Sequence, residues 1–443
     1  MRTRLLRYPL GRWVDPAAAW AALNADAENS FWLDGGPGAS TGISYLGSSS
    51  RVLTDADGDV FESLRASLAS TPVEPVEPDA AGGFALGWVG WLGYELRALT
   101  MGEPVRASRY PVAALMFVDR AVAFDHATGL VSLLALGDSW QGALGDWRDQ
   151  TVAALAGAVV PATASAAPVG DAVWKYSDDE YLGMIEACQR SITAGDAYQL
   201  CLTTEARVDV RPDPFATYLA LRSSSPSHHG GLLVFGSVAL LSASPEQFLA
   251  VSPGGLVSSS PIKGTRRRGF SAAEDDALRA ELAASDKERA ENLMIVDLMR
   301  NDIGRISEVG SVRVPRLLEV ETYAHVHQLV SEVTGQLAPG LGPVDAVIAC
   351  FPAGSMTGAP KLSATRILDS LERRARGVYA GAFGYFGLDG GVDLAMVIRS
   401  IVIDAAGSTV GSGGGITALS VPSEELEEVR IKAAALLAVL GSR

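Results

Sequence analysis

The sequence predicts an α+β fold. Strand-like apolar runs dominate its N-terminal third. Strands and helices then follow one another in irregular order, and the regular alternation of a doubly wound sheet is missing. With 443 residues, 48% of them hydrophobic, the chain can bury a large core. That is enough for two domains or one interwoven body, and it argues against disorder.

Taken in order, residues 84–92 (FALGWVGWL) and 112–124 are apolar, rich in β formers, and read as strands. Residues 71–81 carry three prolines and 154–171 carry two within small residues, so both read as connections. The second divides an N-terminal region, 1–155, from a C-terminal region, 172–443, that holds nearly every polar constellation. Residues 178–194 have helical spacing, with Tyr181, Ile185, Cys188 and Ile192 on one face. Residues 231–241 and 248–257 read as strands, and 286–300 and 423–440 as helices. No internal repeat is found.

The net charge of -15 makes nucleic acid a poor partner. No apolar run reaches the length of a membrane helix, and the basic start MRTRLLRYPLGRWVDP lacks the apolar core of a signal peptide. Cys188, Cys201 and Cys350 are odd in number and far apart, with neither a metal spacing nor a disulfide framework. A soluble protein of the reducing cytoplasm is expected.

Five constellations could carry chemistry. Glu288 and Glu291 lie three apart and share a helix face, as do Glu425 and Glu428, with Lys432 four further on. Two such helices could hold a magnesium ion, which takes oxygen ligands and leaves room for water and substrate. Taken alone, each pair is more often an exposed acidic turn than a ligand set. In SPIKGTRRRG (260–269), Lys263 precedes Gly264 and Thr265 near a strand end, where a confined amine can act as a nucleophile. Arg266 to Arg268 read as a basic turn in solvent. FPAGSMTGAPK (351–361, with Ser355) and GSGGGIT (411–417, with Gly413 and Gly415) are glycine loops able to approach an anion, and neither is a P-loop. Arg399 stands alone in an apolar run, so it needs a partner, either a protein carboxylate or an anionic substrate.

Together these motifs resemble the chorismate-utilising enzymes. That family contains anthranilate synthase component I, aminodeoxychorismate synthase component I, isochorismate synthase and salicylate synthase. The likeness is carried in order by GDAYQLCLTTE from Gly195, SASPEQF from Ser242, PIKGT from Pro261 and KERAENLMIVDLMRND from Lys287. It continues with VHQLVS, FPAGSMTGAPK, RGVYAGAFGYF, AMVIRS, GGGI and EELEE. FWLD at Phe31 and GWVGWLGYEL at Gly87 extend it more weakly toward the N-terminus.

The resemblance implies interwoven antiparallel sheets surrounded by helices, and a magnesium ion on the ring carboxylate of chorismate. It implies direct ligation by Glu291 and Glu428, with Glu288 and Glu425 as neighbours of the ion. It assigns Thr265, Tyr379, Arg399, Gly415 and Lys432 to the substrate carboxylates. Glu246 takes the role of the acid that protonates the departing C4 hydroxyl. Gln199 stands where water-using members carry lysine, which points to ammonia as the nucleophile. Lys263 stands where anthranilate synthases usually carry alanine. It matches the members that attack C2 through lysine and then admit ammonia at C4 to give 4-amino-4-deoxychorismate, a precursor of p-aminobenzoate and folate. Gln328 replaces the histidine linked to pyruvate elimination, and neither His325 nor His327 fills that slot.

The alternative within the family is an anthranilate synthase component I, and a rival outside catalysis is a binding homologue. The chain departs from the family at SSPSHHGG (224–231), where His228 and His229 replace a Pro-Tyr pair, so tryptophan feedback is not expected and both histidines read as surface loop. DGGPG at Asp34 is accompanied by no nucleophilic cysteine motif. The expected ammonia source is therefore a separate glutamine amidotransferase subunit.

Overall fold

The computed structural model describes residues 3–74, 83–161, 171–323 and 326–442. Among them, two antiparallel sheets stack face to face and helices cover the outer faces. The first sheet has twelve strands. Its path runs Arg4–Pro9, Leu130–Gly137, Arg120–Asp125, Ile43–Ser48, Asn29–Asp34, His229–Phe235, Val238–Ser244, Ser400–Asp404, Gly407–Ile416, Gln199–Val208 and Gly358–Ala359, with Val173–Trp174 paired onto Gln199–Val208. The second has ten. Its path runs Ile262–Arg267, Val326–Gln336, Leu256–Ser259, Gln247–Val251, Val392–Met396, Ala382–Gly387, Gly87–Leu92, Ala113–Val118 and Val52–Thr54, with Arg313–Thr322 beside Val326–Gln336.

Side-chain alternation explains why the central strands are apolar throughout. In Gly87–Leu92, Val89 and Trp91 enter the core between the sheets, while Trp88 and Leu92 enter the core beneath the helices. Phe31 and Trp32 divide in the same way between the inner core and the outer face of the first sheet. A strand covered on both faces loses the polar half of its pattern. Each fully buried phenylalanine contributes roughly 1.5–3 kcal/mol.

Three apolar runs divide where one strand each was expected. Residues 112–124 become Ala113–Val118 in the second sheet and Arg120–Asp125 in the first, parting at Asp119, whose carboxylate pairs with Arg120. Residues 231–241 fold as the hairpin His229–Phe235 and Val238–Ser244, and 248–257 as part of Gln247–Val251 and Leu256–Ser259. Gly236 and Gly255 take left-handed backbone at the two turns. The expected helices form as Asp178–Thr193, Asp286–Gly304 and Pro422–Val439.

Of the two expected connections, residues 75–82 and 162–170 lie outside the described residues. Asn29–Asp34 pairs with His229–Phe235, and Gly87–Leu92 with Ala382–Gly387. Strands from before 155 and after 172 therefore share both sheets.

Candidate active site

Ser285 caps the helix Asp286–Gly304 by accepting the Glu288 amide, and the first turns then present Glu288 and Glu291 on one face. Pro422 opens the helix Pro422–Val439, which presents Glu425, Glu428 and Lys432 at the same spacing. Both faces turn to one cavity of about 400 Å³. The strand Ile262–Arg267, packed beside Glu288, supplies Lys263, Gly264 and Thr265 to the cavity wall. Glu246, Ser355 and Tyr379 close one end, and Arg399 lies on the wall beside Lys432.

The strand Gly407–Ile416 forms the floor, and its glycines let the backbone lie close to what is below. A Cβ at Gly411 would stand 2.2 Å from the Tyr379 ring, and one at Gly415 would stand 2.4 Å from Nε2 of Gln199. Gly413 accepts a hydrogen bond from Lys432 through its carbonyl, at 3.0 Å. Gln199 is not among the residues that line the cavity; its Nε2 fills the space beside Gly415, near Glu291, the residue is 2% exposed, and its buried Oε1 has no hydrogen-bond partner among the described residues.

Charges of both signs face one another here. Burial pushes the Glu246 carboxyl up, while Lys263 and a hydrogen bond with Ser355 pull against that rise. Burial also raises Glu291, with Lys263 opposing and Glu288 adding to the rise. For Glu428 burial acts upward, but Lys432 at 2.6 Å, with Lys287 and Lys263 beyond it, outweighs that and holds the carboxyl below its ordinary value. Glu425 is buried, accepts from the Ser420 hydroxyl at 2.7 Å and lies 3.4 Å from the Lys287 ammonium.

Arg399 departs from the expectation of a residue inside a strand. It occupies the turn between Val392–Met396 and Ser400–Asp404 with φ 51°, and its guanidinium donates to the Lys432 carbonyl at 3.1 Å. No ion pair links it to a carboxylate among the described residues, so the cavity side of the guanidinium remains open to an anion. Burial lowers its pKa, with Tyr379 and Glu428 opposing, yet an arginine so placed stays charged.

Among the described residues, no three His, Cys, Asp or Glu side chains converge closely enough to hold a metal ion by themselves. Magnesium does not require three, because it retains waters and accepts substrate oxygens. The donor chemistry fits: the four carboxylates of Glu288, Glu291, Glu425 and Glu428 line one open cavity.

Two charged cavity residues were not anticipated. Lys287 lines the wall, and Glu425, Glu291 and Glu428 raise its pKa against the opposing effect of burial. Its position four before Glu291 was a usable signal, since i and i+4 share a helix face. Arg266, expected in a solvated turn, lines the cavity and pairs with Glu281 at 2.6 Å and Glu288 at 3.4 Å. No local signal announces this, because the helix Ala272–Ala284 must first fold back over the strand.

His228 is an exposed turn residue, as expected, whereas His229 is half-buried. They line a second cavity of about 230 Å³ with Asp34, Tyr45, Tyr385 and Asp393, and His229 starts a strand. Burial lowers the His229 pKa, with Asp393 opposing. His327 turns away from the active cavity to bond Thr322 and Asp275, both at 2.9 Å, while Gln328 lines it. His325 lies outside the described residues.

Comparison with known proteins gives a consistent picture. A family model described as chorismate binding enzyme matches residues 28–438. An aminodeoxychorismate synthase of Streptomyces griseus is 45% identical, over 97% of this chain and 63% of that protein, so the chain spans less than two thirds of that relative's length. An anthranilate synthase component 1 of Geobacillus stearothermophilus is 37% identical, over 86% of this chain and 78% of that protein. The crystal structure of anthranilate synthase component I from Streptococcus pneumoniae TIGR4 superposes with a TM-score of 0.74 at 29% identity. It covers 98% of this chain and 92% of that one.

Proposed function

The chain belongs to the chorismate-binding enzyme family, and on that premise we propose that it aminates chorismate at C4 to give 4-amino-4-deoxychorismate. The observation that carries the reading is Lys263. Its amine shares a cavity with the Glu246 carboxyl, and its charge is felt by Glu246, Glu291 and Glu428.

In the first step the neutral Lys263 amine attacks C2. A C2–N bond forms, both ring double bonds shift, and the C4–O bond breaks. Glu246, kept protonated to higher pH by burial, gives its proton to the departing hydroxyl, which leaves as water. In the second step ammonia attacks C4, the C2–N bond breaks, and the lysine amine is restored. The proton shed by nitrogen returns to Glu246, so chorismate and ammonia give aminodeoxychorismate and water.

Glu291 and Glu428 would hold magnesium directly, and Glu288 and Glu425 would do so through water. Held there, the ion would supply the positive charge that neutralises and orients the ring carboxylate. Arg399, Tyr379, Thr265, Lys432 and the bare backbone at Gly264, Gly413 and Gly415 receive the two carboxylates, while Ser355 steadies Glu246. Gln199 cannot serve as a base, and ammonia needs none. The ammonia comes from a separate glutamine amidotransferase subunit. In support, Cys188, Cys201 and Cys350 are all buried and unsuited to a glutaminase nucleophile. The product serves p-aminobenzoate and folate synthesis in the cytoplasm.

Amination at C2 to anthranilate is the second reading, favoured by the likeness to anthranilate synthase component 1. Lys263 and Gln328, which both line the cavity, speak for C4. Mass spectrometry of the products from chorismate, magnesium and ammonium at a pH of about 8, where part of the ammonium is free ammonia, tests the choice. An aminated product that keeps its enolpyruvyl group, and yields p-aminobenzoate only with an added lyase, is expected. Anthranilate formed without the lyase would refute it.

A further inference from the structure

Arg376 does not line the cavity, yet two pieces of the cavity meet on its guanidinium. The side chain is 1% exposed and forms a two-pronged pair with Glu372, Nε to Oε2 at 2.9 Å and Nη2 to Oε1 at 2.7 Å. Nη1 donates to the Met356 carbonyl at 2.6 Å, and Nη2 also donates to the Cys201 carbonyl at 2.9 Å. Its remaining face packs on the Tyr94 ring, 4.3 Å from the centroid.

Both carbonyls belong to residues that line the cavity. Met356 follows Ser355, the partner of the Glu246 carboxyl. Cys201 is the register partner of Gly415 on the floor. Glu372 extends the brace, because its Oε1 accepts both the amide and the hydroxyl of Thr203, whose register partner is Gly413. Glu95 fixes the backbone by accepting the amides of Arg376 and Gly377 through its two oxygens, two residues before Tyr379.

We propose that Arg376 is a positioning residue, a rigid cross-brace that sets the distance between the Ser355 turn and the glycine floor and so aims Glu246 at its substrate. This rests on the reading of Glu246 as the acid. The planar fork reaches a carboxylate and two carbonyls at once, which the compact ammonium of lysine cannot do from one place. A reacting group displaced by about 1 Å loses rate on the order of 10²-fold, so a brace can matter without touching substrate.

The experiment compares wild type, R376K, S355A and the double variant, with steady-state kinetics and amide hydrogen exchange on each. R376K is expected to lower kcat by roughly 10²-fold with the KM for chorismate nearly unchanged. The double variant is expected to be no slower than the slower single variant, because both act on one contact. In R376K the Cys201 and Met356 amides, which donate to the Thr357 and Ala353 carbonyls, are expected to exchange roughly tenfold faster, because each segment loses about one net hydrogen bond at its own carbonyl and opens more readily. Should R376K fail to accumulate as folded protein, E372Q takes its place with the same expectations. Multiplicative kinetic losses, a change confined to KM, or unaltered exchange at both amides would each overturn the brace. Absence of chorismate turnover in wild type would instead fail the functional reading, and the exchange result would still decide whether Arg376 holds the two segments.

Discussion

Glu246 and Glu428 are both glutamates in one cavity, and their surroundings push them in opposite directions. Burial keeps Glu246 protonated above the ordinary range, which suits an acid, so activity that depends on it is lost as pH rises through its raised pKa. E246Q is expected to lower kcat on the order of 10²–10⁴-fold while calorimetry still records chorismate binding; retained turnover would remove Glu246 from the mechanism. Lys432 keeps Glu428 ionised, which suits a cation ligand. E428Q is expected to weaken magnesium binding by at least the roughly 10–100-fold that loss of an outer-shell partner costs, and titration calorimetry reads it without turnover. Unchanged affinity would refute the ligand assignment. Lys263 and the four glutamates were legible in the sequence because each sits in a short motif with fixed helical or strand spacing. Arg266 and the half-buried His229 were not, because their surroundings come from segments distant in the chain: the helix Ala272–Ala284 for the first, the strands around Asp34 and Asp393 for the second.

At the scale of elements, helices were easier to read than strands. The helix Asp286–Gly304 keeps its period and carries a serine cap, so residues 286–300 already marked most of it. The hairpins were read as single runs, because strands buried on both faces stay apolar up to the turn and leave only a glycine to mark it. The floor strand makes a demand of its own. Gly411 lies where any Cβ would enter the Tyr379 ring, so G411A is expected to destabilise the protein by about 1–3 kcal/mol and to displace Tyr379 from the cavity. Urea denaturation with chorismate binding checks both; a variant as stable as wild type with unchanged binding would show that the strand tolerates the methyl group.

Across the whole molecule, no local pattern reveals which strands pair. Asn29–Asp34 and His229–Phe235 are neighbours only because the two sheets close around one inner core, shared by Phe31, Trp91, Leu233 and Phe383. Composition suggested a division between 155 and 172, yet both sheets draw strands from either side of it. A fragment of residues 172–443 would expose the partner edges of His229–Phe235 and Ala382–Gly387. It is expected to lack a cooperative thermal transition, and calorimetry showing one would mean that this region folds alone. The interweaving also has a functional consequence: elements separated by more than a hundred residues are held rigidly enough to bring Glu246, Lys263 and Glu428 to one cavity.

The central claim is that Lys263 delivers nitrogen chemistry to C4 of chorismate, and product analysis of K263A beside wild type tests it most directly. With chorismate, magnesium and ammonium supplied to both, wild type should form 4-amino-4-deoxychorismate. K263A should form none while still binding chorismate within a few-fold of wild type. C4 amination by K263A at the wild-type rate would contradict the account.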